Sequence, residues 1–142
     1  MNAFDTLKVV LDEGAFMPVR AHKEDAGLDL FSREDKTVPA RGSAVFDTGV
    51  HVGIPEGYVG FIKSKSGLNI KHGIVGEGVI DAGYTGAIVV KLYNHSDIDY
   101  NFSRGDKITQ LVILPIACPA PVQVVALNDT DRGEGGFGST GK

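Results

Sequence analysis

Apolar residues in this chain recur at every second position, over short stretches, and never at the spacing of a long amphipathic helix. Leu7, Val9 and Leu11 alternate; so do Val59 and Phe61, then Ile88, Val90 and Leu92, then Ile108, Gln110, Val112 and Leu114. Successive side chains of a strand point to opposite faces, so each stretch reads as a half-buried strand. Val122 to Leu127 is a further apolar run of strand length. Turn formers separate the runs: Pro39 to Ser43, Pro55-Glu56-Gly57, Asp81-Ala82-Gly83, Arg104-Gly105-Asp106 and Asn128-Asp129. Many short strands punctuated in this way predict an all-β sandwich or barrel. One short helix is expected, with Ser64 or Ser66 as cap, running through Leu68, Asn69, Ile70 and Lys71 and stopped by Gly73. The 142 residues suit one domain, with a body over 1–131 and a low-complexity, glycine-rich arm over 132–142.

Charge and composition narrow the functions. The net charge of −4 argues against nucleic acid as a partner, and any anionic ligand would need a locally built positive field. The longest apolar run, Leu111 to Cys118, is far short of the ~20 residues that span a bilayer, so no membrane role is expected. No basic-then-apolar leader opens the chain, which argues for a cytoplasmic protein. Its single cysteine, Cys118, reads as a small buried hydrophobe in a reducing compartment. The 19 glycines add backbone entropy for folding to overcome, and oligomerisation would help to offset it.

Several segments carry candidate chemistry. The ending Arg132-Gly133-Glu134-Gly135-Gly136-Phe137-Gly138-Ser139-Thr140-Gly141 has the glycines of a frayed tail. It also has a guanidinium fork, hydroxyls and converging N–H groups suited to phosphate, and a ring on which a base can stack. An arm that orders over a nucleoside phosphate accounts for all of these. Gly76 to Gly86 reads as a β-hairpin turning at Asp81 and Gly83. Glycines that open its strands would expose backbone groups to the edge of a base, with Asp81 as a general base toward water and Tyr84 flat against a sugar. Lys63-Ser64-Lys65-Ser66-Gly67 is a phosphate candidate or a solvated, capped surface turn. Asp29, between Leu28 and Leu30, is by default a surface carboxylate and, on the sharper reading, one near a metal. Gln110 faces either solvent or a polar site. His22, His51, His72 and His95 lack metal-ligand spacing and read as surface or loop residues, His72 being nearest the lysines. Arg104-Gly105-Asp106 is read as a tight turn into a strand rather than an adhesion tripeptide.

Taken in order, five segments resemble the motifs of the trimeric dUTPases (deoxyuridine triphosphate nucleotidohydrolases). They are Ala26 to Ser32, Lys65 to Leu68, Gly78 to Gly86, Arg104 to Leu111 and Arg132 to Gly141. The resemblance runs from about residue 18 to the end. It implies a distorted jelly-roll β-barrel and a homotrimer with shared active sites, each closed by an arm. It implies hydrolysis of dUTP to dUMP and pyrophosphate, limiting uracil incorporation into DNA and supplying dUMP for dTMP synthesis.

Residue by residue, the resemblance makes Asp81 the base that activates water against the α-phosphorus. Backbone around Val75, Gly78 and Ile80 would read uracil, and Tyr84 would pack on the deoxyribose. Ser66, beside Gly67, would reach the α–β bridging oxygen, and Gln110 the α-phosphate. Arg132, Gly138 and Ser139 would hold the γ-phosphate, and Phe137 would stack over uracil. Mg²⁺ would ride on the phosphates, with Asp29 ordering its waters. Lys65 departs from the arginine common at its position, and Asp106 is its expected partner. The related dCTP deaminase chemistry needs a glutamate base that is not found near the hairpin. A non-catalytic binding role is argued against by the intact arm and Asp81.

Overall fold

The computed structural model describes residues 4–138 and 141. Its elements, in chain order, are β1 (Lys8–Leu11), β2 (Gly27–Phe31), β3 (Lys36–Val38), β4 (Ser43–Asp47), β5 (Val50–Gly53), β6 (Tyr58–Lys63), α1 (Ser66–His72), β7 (Ile74–Val75), β8 (Gly78–Ile80), β9 (Val89–Asn94), β10 (Tyr100–Phe102) and β11 (Lys107–Pro115). All pairings are antiparallel. They form sheets ordered β1-β5, β10-β3, β2-β11-β6-β8 and β4-β9-β7. The result is the expected jelly-roll-like, all-β body with one short helix, its ladders tracing four sheets rather than one closed ring.

Alternation puts Ile88, Val90 and Leu92 inside, where they meet Leu30, Val38, Phe46, Val50, Val52, Ile62, Ile74 and Phe102. Phe46 and Phe102 pack edge to face at 5.5 Å. Buried Asn94 fastens the end of β9. Its amide donates to the Val38 and Ile98 carbonyls at 3.1 and 2.8 Å, and its oxygen accepts from the Ser96 N–H and hydroxyl.

Five local expectations are corrected. On β11 the alternation breaks: Ile108 and Leu111, three apart, are both core residues, because the register slips between Lys107 and Thr109. A bulge of this kind shifts the phase of the faces on either side of it. Val122 to Leu127 forms no strand, and Val122, Val124, Val125 and Leu127 are exposed, with no ladder partner among the described residues. Cys118, on the same departing segment, is exposed rather than buried.

Neither serine caps α1. Its N-cap is Lys65, without a side-chain cap, and Gly73 closes it at φ 66°, a left-handed conformation suited to glycine. The Ser64 hydroxyl instead accepts from Gly76 N–H at 3.0 Å and donates to its carbonyl at 3.3 Å. Gly76 to Gly86 is also not a paired hairpin. β8 pairs with β6, while β9, beyond the Asp81 turn, pairs with β4 and β7 in another sheet.

Candidate active site

Splitting those strands between two sheets makes both β7 and β8 edge strands. An edge strand carries a row of backbone N–H and C=O groups with no ladder partner. Gly76 joins this region closely to β9: a Cβ there would lie 2.7 Å from Leu92 Cδ2 and 3.0 Å from the Lys91 carbonyl oxygen. Glu77, next in the chain, pairs with Lys63 at 2.8 Å, and the hydrogen bond from that ammonium holds its carboxyl below the usual range.

The turn after β8 forms a cleft of about 240 Å³ lined by Val79, Ile80, Asp81, Tyr84, Ala87 and Val89. Asp81 is exposed, and its carboxylate makes no hydrogen bond or ion pair among the described residues. The Tyr84 hydroxyl donates to the Ala87 carbonyl at 2.8 Å, which curls the ring over Gly86, where a Cβ would lie only 2.4 Å from the phenol oxygen. Ile80 turns its side chain into the core while its backbone borders the cleft. Val75 on β7 and Gly78 on β8 stand on edge strands of two different sheets, outside this cleft.

A second cleft, of about 400 Å³, is lined by Lys65, Gly67, Leu68, Tyr100, Phe102, Asp106 and Lys107. Beneath it lies Asp29, which corrects the surface-carboxylate expectation. Asp29 is 3% exposed because β11 flanks it on one side and Val19 bridges it on the other, with backbone bonds of 2.7 and 3.2 Å. Its Oδ1 meets the Lys65 ammonium at 2.5 Å and its Oδ2 the Lys107 ammonium at 3.1 Å. Burial pushes its carboxyl up, but hydrogen bonds and charge from the two lysines outweigh that and hold it below the ordinary value.

The expected Lys65–Asp106 pair is therefore replaced by Lys65–Asp29. Asp106 instead accepts from the Ser103 N–H at 2.7 Å and shapes the turn into β11. Lys107 was missed by sequence reasoning. It sits at the bulge, where the alternation that would have placed it fails.

Gln110 sits opposite Asp29 on β2 and Lys63 on β6, and its amide donates to the Ser64 carbonyl at 3.0 Å. Gly27 makes room for it: a Cβ there would lie 2.3 Å from Gln110 Oε1. Ser66 and Gly67 open α1 and are exposed. In the arm, Arg132 donates from Nε to the Gly135 carbonyl, Gly138 takes a φ of 97°, and Phe137 is fully exposed. Ser139 lies outside the described residues. The structure thus brings together Asp81, Ile80 and Tyr84 in one cleft and Lys65, Gly67 and Asp29 at another, with no lining residue in common. Arg132 and Phe137 line neither.

The sequence model of the dUTPase family matches residues 13–141. The chain belongs to the dUTPase family. An Arabidopsis thaliana deoxyuridine 5'-triphosphate nucleotidohydrolase is 49% identical over 132 residues, which cover 92% of this chain and 80% of that protein. A Staphylococcus bacteriophage 80alpha dUTPase variant, solved with dUpNHpp, superposes with a TM-score of 0.90 at 36% identity, covering 97% of this chain and 99% of its own. A variant dUTPase of phage phi11 of S. aureus, solved with a structural Mg(II) ion, superposes at 0.80 and 37% identity, covering 86% of this chain and 98% of its own. The dUTPase chain has, among the described residues, no helix long and apolar enough to cross a membrane.

Proposed function

We propose that this dUTP nucleotidohydrolase works through the Asp81 cleft, completed by the lysine cleft and the arm of other copies in a homotrimer. The exposed carboxylate of Asp81, beside Tyr84, carries the reading. A carboxylate without an internal partner can orient a water and take its proton. Attack on the α-phosphorus then releases pyrophosphate and leaves dUMP, the product that limits uracil in DNA and feeds dTMP synthesis.

Backbone of Val75, Gly78 and Ile80, along the two sheet edges, supplies donors and acceptors for the uracil edge. Cytosine inverts part of that pattern, and a buried mismatch of this kind can cost roughly 10⁴–10⁵ in selectivity. Tyr84 packs on the deoxyribose and leaves no room for a 2′-hydroxyl. Gln110 and the hydroxyl of Ser66 hold the α-phosphate side, with Lys65 supplying charge beside Gly67. Arg132, Gly138 and Ser139 take the γ-phosphate, and Phe137 stacks on uracil.

Among the described residues there is no cluster of three His, Cys, Asp or Glu side chains that would cage a metal. Both Asp29 oxygens are already engaged by ammonium groups. This donor set fits an ion held mainly by the triphosphate and touched by Asp29 only through water. Mg²⁺ bound in that way would neutralise phosphate charge.

The trimer accounts for features that the single chain leaves open. The two clefts share no lining residue, and Phe137 and the Val122 to Leu127 stretch are exposed. Burying that stretch against another copy would carry the arm, residues 132–142, to a neighbouring site. An exposed lone cysteine, Cys118, fits a cytoplasmic protein.

Pyrophosphate release from dUTP, dTTP, dCTP and UTP, with and without Mg²⁺, tests the reading. Release only from dUTP, with labelled solvent oxygen entering dUMP, is the expected result. Label in pyrophosphate would remove attack at the α-phosphorus.

A further inference from the structure

His51 lies on β5, outside both clefts described above, and each of its ring nitrogens has a partner. Nδ1 is 2.8 Å from the Thr85 carbonyl oxygen, and Nε2 is 3.0 Å from Asp12 Oδ1. A carbonyl and a carboxylate only accept, so both bonds exist together only when both nitrogens carry protons. The geometry therefore suits the imidazolium, and a neutral ring forfeits one of the two bonds.

Thr85 belongs to the turn that carries Asp81 and Tyr84. Because β8 and β9 lie in different sheets, no ladder joins the two ends of that turn. Gly83 N–H reaches the Ile54 carbonyl only at 3.3 Å, and the bonds from Tyr84 to Asp81 and Ala87 lie within the turn itself. The His51 contact is thus a side-chain fastening from the turn to the body.

The charges around the ring favour its proton. Asp12, at the end of β1, bonds it directly, and Asp47, at the end of β4, adds negative charge. Arg33 reaches the other Asp12 oxygen at 3.9 Å, and Lys8 lines the same open cleft of about 290 Å³ as His51 and Thr85.

We propose that protonated His51 is a positioning residue for hydrolysis, anchoring Thr85 so that the Asp81–Tyr84 turn keeps its working place, and that loss of the proton slackens the turn. The inference rests on the reading of Asp81 as base. The bond to Thr85, then that to Asp12, holds the His51 pKa above its ordinary value. Both bonds of the fastening are therefore present below that ordinary value, and one of them is lost as pH rises through the raised one.

The test is the pH profile of kcat and KM for dUTP on the full chain, beside titration of the His51 ring by NMR. The native enzyme should lose about fivefold to tenfold in kcat along an alkaline limb that follows the His51 titration, with KM little changed. His51→Gln, which cannot titrate, should show the reduced kcat throughout and no such limb. Asp12→Asn should move both the limb and the ring titration to lower pH. His22→Gln, at an exposed site, should retain the native profile.

A native alkaline limb in His51→Gln, a ring titration unmoved in Asp12→Asn, or loss of the limb in His22→Gln each overturns the inference. Asp81→Asn separates it from the reading beneath it. If Asp81→Asn is inactive while His51→Gln keeps the native profile, only the His51 inference falls. If Asp81→Asn turns over normally, the base assignment falls, and the His51 limb and titration are still read directly in the other variants.

Discussion

The lysine cleft and the Asp81 turn are organised in opposite ways. At the first, the chain satisfies itself: Asp29 holds Lys65 and Lys107, and Gln110 is tied to the Ser64 carbonyl. At the second, backbone edges stand unpaired and the carboxylate of Asp81 has no partner among the described residues. Two ammonium groups brought to the same place repel one another, and the Asp29 carboxylate between Lys65 and Lys107 offsets that charge. A general base has the reverse requirement, since a carboxylate already paired is poor at accepting a proton. Ser64 joins the two regions, its carbonyl accepting from Gln110 and its hydroxyl bonded to Gly76.

If the contrast is right, removing the unpaired carboxylate costs chemistry and little stability. Asp81→Asn should lower kcat by about 10²–10⁴-fold with an almost unchanged melting temperature, measured by pyrophosphate release and calorimetry. Near-native turnover would break the comparison at its catalytic end. Lys65→Ala comes next. It should reduce kcat/KM by roughly tenfold to a hundredfold through lost phosphate charge, and unchanged kinetics would make Lys65 a bystander.

At the self-satisfied cleft the main cost falls on stability. Asp29→Asn should destabilise the fold by about 2–3 kcal/mol in urea titrations, less than for a fully buried pair because both lysines reach solvent. The sign with pH follows from the lowered Asp29 pKa. Its contribution is present above the ordinary value of 3.8 and is lost as pH falls through the lowered value. The native protein should therefore weaken toward acid more than Asp29→Asn does, and equal acid slopes would show that the ion pairs contribute nothing.

Gly27→Ala forces Gln110 off the Ser64 carbonyl and should cost about 1–3 kcal/mol. A native melting temperature would mean that the amide moves aside without strain. Lys65→Arg is the smallest change. It keeps the charge, and a shift in kcat/KM of no more than about threefold would show that the cleft asks for charge more than for a guanidinium fork.

Much of the body was legible from alternation alone. Ile88, Val90 and Leu92 are core residues as the period demands, and Gly73 ends the helix where expected. Legibility failed where local pattern and tertiary context diverge. Ile108 and Leu111 share the core only because a bulge resets the phase, which also hid Lys107. Val122 to Leu127 has strand composition but no ladder partner among the described residues. The serines near the helix have the chemistry of caps, yet Ser64 is spent on Gly76, a contact twelve residues away.

The identity of the chemical groups was written in the linear order of residues: a carboxylate and a phenol in one turn, lysines before a short helix, and a glycine-rich arm bearing a ring and a guanidinium. Residue type sets what a group can donate, accept or ionise, and no fold alters that. Pairing was decided only in three dimensions. Asp29 chose Lys65 and Lys107 over solvent, and His51 found Thr85 in a turn and Asp12 just past β1, because burial and distance are properties of packing and not of spacing along the chain.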